Sequence, residues 1–380
     1  MKKVLLFITI INCGIIQTQN VNIPDPIFKE KLLNHINPVI NTNSDNEIQI
    51  SEAEAITGRI NVSTSTVSDI TGIEAFVNMT EFLCAETNVT SVNMNSNTKL
   101  TYLDFIDAKV TNLNISNCTE LKELWCFGNN LTSLNIENNK LLESVYCYDN
   151  QLTNLNIENN VKLKILNVSN NKLSSLNILN NTNLEGLACL DNEISNINTS
   201  NNLNLEFLLI SENLLTTLDV SNNSSLYVLR CQDNPNLKTI NLKNGNNQNF
   251  TFSGDAKSNF ENLPNIETIC IDDLNNVAFT NGISNQVGNS LTFTDNCSTL
   301  SNEEFSIENY VISPNPIENI LTIKSKKEIL KIEIYNYIGK LILEKKQESK
   351  INISSLKNGI YLLKIFGENG EVQIKKILKK

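Results

Sequence analysis

The chain has one histidine, His35, one tryptophan, Trp125, and only 7 prolines in 380 residues. It contains no Gly-x-Ser-x-Gly turn of the kind that exposes a nucleophilic serine, and no cysteine near a potential base. No catalytic constellation is therefore expected, and the reading is of a non-enzyme. Beyond the first 16 residues, no stretch approaches the ~20 apolar residues that a spanning helix needs. Positive charge is scarce except at the far end. Residues 310–380 hold 14 lysines and 7 acidic groups, a local +7, so the remaining 309 residues carry −18 of the net −11. Such a split marks separate modules, and an acidic body argues against nucleic acid or an anionic membrane as the main partner.

What is present begins with MKKVLLFITIINCGIIQTQ, two lysines, an apolar run and a polar end. This is the build of a secretory signal peptide over residues 1–19, with an uncleaved anchor as the alternative. Cys13 lacks the small residues that precede a lipoprotein cysteine. Export would place the eight later cysteines in an oxidising compartment.

Residues 20–56 read as an N-terminal cap. Asp25 suits a helix N-cap, Pro26 the first helical position, and Ile27, Leu32, Leu33 and Ile36 a buried stripe. The following NTNSDNEIQISE has the spacing of an EF-hand loop. Asn41, Asn43 and Asp45 stand at positions 1, 3 and 5, Glu47 at 7 and Glu52 at 12. Asn41 replaces the usual Asp and Asn46 the usual turn glycine, so a plain Asn/Asp turn is the competing reading. The loop is a candidate calcium site; no other cofactor is expected.

From residue 57 to 243 the chain repeats itself. Regular copies start at Met79, Leu100, Leu121, Leu142, Leu163, Leu184, Leu205 and Leu226, each 21 residues after the last. Apolar residues fall at offsets 0, 3, 5, 10, 13 and 15, and a fixed period of this length means stacked coils. Offsets 3 and 5 share one side of an extended segment, which predicts a parallel sheet with its inner face in the core. Asn129, Asn150, Asn171, Asn192, Asn213 and Asn234 hold offset 8, where a buried amide can satisfy backbone groups as the chain leaves the strand. Asn139, Asn160, Asn181, Asn202 and Asn223 form a second column. Cys84, Cys126, Cys147, Cys189 and Cys231 share offset 5 with ordinary apolar residues, so they read as buried free thiols.

The repeated LxxLxLxxN pattern resembles the leucine-rich repeats, in the short bacterial form called the IRREKO type. That resemblance implies a curved solenoid with a parallel sheet on its concave side, and usually a protein-binding role. Subtracting the positions needed for folding leaves two features on that side. Trp125, Phe127, Tyr146 and Tyr148 cluster on two adjacent coils, which suits a binding hot spot. At offset 7 stand Glu86, Asp107, Asp149, Asp191, Glu212 and Asp233; Asp107, Asp149 and Asp191 are taken with the aromatics as partner-binding. Steering of a basic partner and simple turn chemistry explain that column equally well.

Residues 244–300 read as the closing cap of the solenoid. Leu263, Ile266, Ile269 and Ile271 point inward and Cys270 outward, the last paired with Cys297 in a disulfide. After a linker at 301–309, residues 310–380 alternate as short strands of a small β-sandwich. Pro314-Asn315-Pro316, the run IEIYNYIGKLIL, the stretch from Ser355 to Tyr361 and the lysine-rich end resemble the C-terminal sorting domain of the type IX (Por) secretion system of Bacteroidota. The resemblance implies delivery to the cell surface or medium, with the secretion machinery as a partner of residues 310–380. The expectation is a surface or secreted repeat protein that binds a protein, or alternatively a glycan, through its concave face.

Overall fold

The computed structural model describes residues 19–254, 257–288, 291–297, 310–313, 317–325, 329–336, 340–367 and 372–380. The apolar leader at 1–18, the linker at 301–309 and the tail turns at Pro314-Asn315-Pro316, Ile338-Gly339 and Glu368-Asn369-Gly370 lie outside them. The chain divides into two compact units, residues 1–300 and 301–380.

The first unit is a leucine-rich-repeat solenoid. Nine three-residue strands pair in parallel, from Arg59–Asn61 through Tyr102–Asp104, Glu123–Trp125 and Ser144–Tyr146 to Val228–Arg230. The register advances one repeat at each step, so Leu103 faces Leu124 and Leu124 faces Val145. Offsets 0, 3 and 5 are fully buried coil after coil, as in Leu121, Leu124 and Cys126. The second half of each coil runs extended on the opposite side. It forms short parallel sheets at both ends, Ser91–Asn93 with Asn112–Asn114, and four strands from Thr217–Asp219 to Thr292–Thr294. No long return helix fits in a half-coil of ten or eleven residues.

Backbone pairing between coils continues past the three-residue strands, as from the Cys126 N–H to the Tyr146 carbonyl, and buried asparagines bind further carbonyl and N–H groups where the chain turns. Asn171 Nδ2 donates to the carbonyls of Cys147, Val168 and Ser169 at 3.0–3.1 Å, while its Oδ1 accepts the Leu152 N–H at 2.9 Å. Each amide therefore bridges its own coil to the preceding one. The second column donates likewise, Asn181 Nδ2 to the Ile157 and Asn160 carbonyls, but its Oδ1 has no partner. Cys118 occupies the Asn position of that column in its own coil, and its thiol donates to the Met94 carbonyl at 3.3 Å. Thr199 replaces an apolar residue, and its hydroxyl donates to Asn223 Oδ1 at 2.7 Å.

The helix of the N-terminal cap, α1, spans Pro26–Leu33 with Asp25 as N-cap. Its buried residues are Phe28 and Leu32, whereas Ile36 is 85% exposed. The expected stripe is thus corrected: the helix ends at Leu33, so helical spacing does not carry on to Ile36. His35 is structural, its Nε2 accepting the Asn61 N–H at 3.1 Å and its Nδ1 facing the Pro38 carbonyl at 2.6 Å. At the far end Leu263, Ile266, Ile269 and Ile271 are buried in the common core. Cys270 is also fully buried, and it lies outside the apolar cluster because its sulfur turns to Cys297 across a Cα–Cα distance of 5.6 Å. A helix at Val277–Val287 covers this end through Phe279, Ile283 and Val287.

The second unit has two antiparallel sheets, of three and four described strands, around an isoleucine-rich core that includes Ile332, Ile351 and Ile365.

The two asparagine columns should differ in value. Asn171→Ala removes an amide with both ends engaged and should cost about 2–4 kcal/mol in denaturant unfolding. Asn181→Ala removes only the donor end and should cost less; equal or reversed losses would contradict this account of the ladder.

Candidate functional site

On each strand of the nine-stranded sheet the middle residue enters the core, and its two neighbours turn outward. Trp125 follows buried Leu124 and precedes buried Cys126, so its indole lies on the outer face by strand alternation alone. Register puts Asp104, Trp125 and Tyr146 side by side on three consecutive strands. The rings form a continuous patch. Trp125 lies 6.0 Å from Tyr102, 5.0 Å from Tyr146 and 6.5 Å from Phe127, centroid to centroid. Phe127 stacks on Tyr148 at 4.1 Å with planes 12° apart. All five are half-buried, and Trp125 Nε1 is covered without an acceptor.

Sequence reasoning counted four of these rings and missed Tyr102 and Asp104 as members. The signal was available: residues 102 and 104 share one face of a strand, and 104 is the register partner of Trp125. Asp104 is 7% exposed, and one carboxylate oxygen accepts the Ile106 N–H at 2.9 Å. Burial pushes its carboxyl above the ordinary range despite that bond. Burial, with Asp104 and Glu123 nearby, pushes the Tyr102 hydroxyl up to about 12. Tyr146 is raised by burial and Glu123, and Tyr148 by burial and by Asp149 and Asp107. The patch is apolar in area and negative in field.

Asp107 and Asp149 lie on the ring-bearing coils and Asp191 two coils further on, all exposed. Their backbones explain the column. Every residue at offset 7 is left-handed: Glu86, Asp107, Gly128, Asp149, Asn170, Asp191, Glu212 and Asp233 have φ between 48° and 68°. Asp, Asn and Gly tolerate this region best, so folding alone favours them there. At 128 a Cβ would stand 1.9 Å from Asp107 Oδ1, so any other residue there requires the exposed Asp107 side chain to move aside. Asp149 Oδ1 accepts from Asn170 Nδ2 on the next coil, which ties part of the edge into the fold.

The EF-hand-like loop closes on its own hydrogen bonds. Glu52 Oε1 accepts from the Thr42 N–H and hydroxyl at 2.7 and 2.8 Å and from the Asn43 N–H at 3.3 Å; Oε2 accepts from the Gln49 N–H at 3.1 Å. The last bond is part of the capping box of α2, Ile50–Ala55. Asp45 accepts from Glu47, Asn43 and Gln49, while Glu47 pairs with Lys29 at 2.7 Å. Asn41 donates to the Asp45 carbonyl and leaves a covered Oδ1 without a partner. Calcium would have to displace these donors, and among the described residues no group of three or more His, Cys, Asp or Glu side chains is arranged to hold a metal ion. The offset-5 thiols are buried, and burial raises Cys84, Cys147 and Cys189 to about 12, with Cys126 and Cys231 also raised. Such thiols stay protonated and poorly nucleophilic at neutral pH.

Residues 311–380 match the family model of the secretion system C-terminal sorting domain. Similar solved structures include internalin C2 from Listeria monocytogenes, 21% identical over 56% of this chain and 97% of that one, with a TM-score of 0.47. The functional domain of InlJ from Listeria monocytogenes, described as including a cysteine ladder, is 18% identical over 96% and 99%, with a TM-score of 0.38. A Leptospira interrogans LRR protein is 16% identical over 64% and 79%, with a TM-score of 0.44. Comparison with curated proteins gives no match. No helix among the described residues is long and apolar enough to cross a membrane. The leucine-rich-repeat solenoid is therefore followed in the chain by a secretion system C-terminal sorting domain.

The cap supplies an acid-sensitive element. Burial alone would raise the Asp25 and Glu52 carboxyls, but the N–H groups of Ser68, Phe28 and Asp69 on the first, and of Gln49, Thr42 and Asn43 on the second, lower them below 3.8 and 4.5. A depressed folded-state pKa gives stability that is complete above the ordinary values and lost as pH falls through the depressed ones. The unfolding midpoint should therefore hold from neutral pH down to about 5 and fall below about 4. Glu52→Ala should cost about 2–4 kcal/mol in calcium-free buffer. A normal midpoint for this variant without calcium, and a wild type raised by calcium, would mean that the loop serves a metal instead.

Proposed function

We propose that the protein is exported by the type IX system of a member of the Bacteroidota, and acts outside the cell by binding another protein through the outer, concave face of the nine-stranded sheet. Adhesion to a cell or host surface fits this role. The observation that carries it is the five-ring patch of Tyr102, Trp125, Phe127, Tyr146 and Tyr148. These rings occupy outward positions that the core does not require, and buried aromatic anchors dominate interface energetics. Asp107, Asp149 and Asp191 extend the negative field beside it and would favour a basic partner kinetically. The signal segment and the sorting tail supply the route.

A second reading is a glycan accessory protein. The near-parallel stack of Phe127 and Tyr148 at 4.1 Å favours it, since flat aromatic surfaces bordered by carboxylates also suit sugar rings. Pull-down from the native surroundings with the full chain, run beside a glycan array, separates the two. Trp125→Ala with Tyr146→Ala should weaken capture at least about 30-fold, as hot-spot truncations do, with circular dichroism unchanged. Undiminished capture by the double variant would place binding elsewhere.

A further inference from the structure

Asp104 is the one acidic side chain among the offset-4 residues of the outer sheet face, a column otherwise of Leu83, Trp125, Tyr146, Asn167, Ala188, Leu209 and Arg230. Removing a carboxylate from water is costly unless a cation or a full set of donors compensates it. Asp104 has neither. It is 7% exposed, it accepts a single hydrogen bond from its own strand end, and no lysine or arginine pairs with it among the described residues. Arg59, whose charge is felt at neighbouring Tyr102, is already bound to Glu81 at 2.6 Å. The second carboxylate oxygen accepts nothing and still meets solvent.

Its surroundings complement a flat cation. Tyr102 stands two residues away on the same face, and Trp125 is its register partner, with the two rings 6.0 Å apart. A guanidinium is planar, weakly hydrated and able to stack on aromatic faces while donating in-plane to a carboxylate. Glu123 lies near enough to bias the Tyr102 hydroxyl and adds negative field at the rim. The strongest part of the patch is therefore built for one charge sign.

We infer that Asp104, Tyr102 and Trp125 form a subsite for an arginine side chain of the protein partner. This rests on the reading of the sheet face as a protein-binding surface and names its specificity. Trp125 reports on the subsite directly, being the chain's only tryptophan.

The test titrates the full chain with N-acetyl-arginine amide and follows Trp125 fluorescence, beside the neutral isostere N-acetyl-citrulline amide and N-acetyl-lysine amide at equal ionic strength. Arginine should give a saturable change, citrulline none, and lysine a response at least about tenfold weaker in affinity. Asp104→Asn should weaken the arginine response about tenfold or more, whereas Asp219→Asn, the same charge change at an exposed residue of the other sheet, should alter it less than about twofold. Equal responses to arginine and citrulline would overturn the inference on the wild type alone, even if Asp104→Asn folded poorly. Equal affinity for lysine would overturn the guanidinium assignment. In pull-down, capture lost with Trp125→Ala but kept with Asp104→Asn would sink the arginine subsite and leave the binding face standing. Capture kept by both would sink the face itself.

Discussion

The structure depends on how a 21-residue coil disposes of its backbone polar groups. Backbone pairing between coils does not reach every group where the chain turns, and a buried peptide group without a partner is expensive. The solution is a side-chain amide with donors and acceptor on one short stem, placed where it reaches its own coil and the preceding one. Asn129, Asn150, Asn171, Asn192, Asn213 and Asn234 do this in a line. Because each amide must meet carbonyls a fixed number of residues away, the period cannot drift. The apolar positions are then locked in register, and stacking neighbours supply the continuous core that no single coil could build.

A second backbone demand shapes the surface. The chain leaves each outer strand through a left-handed residue at offset 7, and Asp, Asn and Gly accumulate there because they accept that conformation. The acidic edge is thus first a consequence of turning, and only then a field available to a partner. The rings differ: nothing in the backbone at offsets 2, 4 and 6 calls for aromatics, and the same offsets on other coils hold Ser, Ala, Asn, Leu and Gln. Repetition makes such departures visible, since a residue that folding does not require stands out against seven other copies.

This contrast also explains what the sequence made legible. The strict period disclosed the solenoid, the parallel sheet and the inward columns, because one constraint is written many times over. The ends were harder. They occur once, so α1 was given a stripe through Ile36 when the helix stops at Leu33 and buries Phe28 instead. Cys118 stands in the asparagine column, where a weak donor replaces a strong one, and only the coil geometry explains a thiol there. Asp104 stands at an outward offset where alternation alone predicts exposure, yet it is 7% exposed, which no single-strand pattern encodes. The tail was recognisable by the order of its short motifs, while its pairing into two sheets follows from long-range contacts that composition does not reveal.

The patch also marks where the fold stops optimising itself. Across the repeat, buried amides find carbonyls and buried thiols stay neutral, so most inward polar groups contribute to stability. Unpaired polar atoms occur elsewhere too, as at Oδ1 of Asn139, Asn160, Asn181 and Asn202, but Asp104 and Trp125 bring two together on the outer face: a nearly covered carboxylate lacks a cation, and a covered indole N–H lacks an acceptor. Leucine at offset 4, as on two other coils, would spare both costs. A sequence that otherwise keeps local chemistry and global architecture consistent is most informative at the points where it does not. Here two such points are adjacent strand partners on an exposed sheet face, within one ring cluster and beside an acidic edge. The cost at Asp104 in the free protein is smaller in a complex that supplies a cation to the carboxylate, and that difference is a source of affinity which ring area alone would not provide.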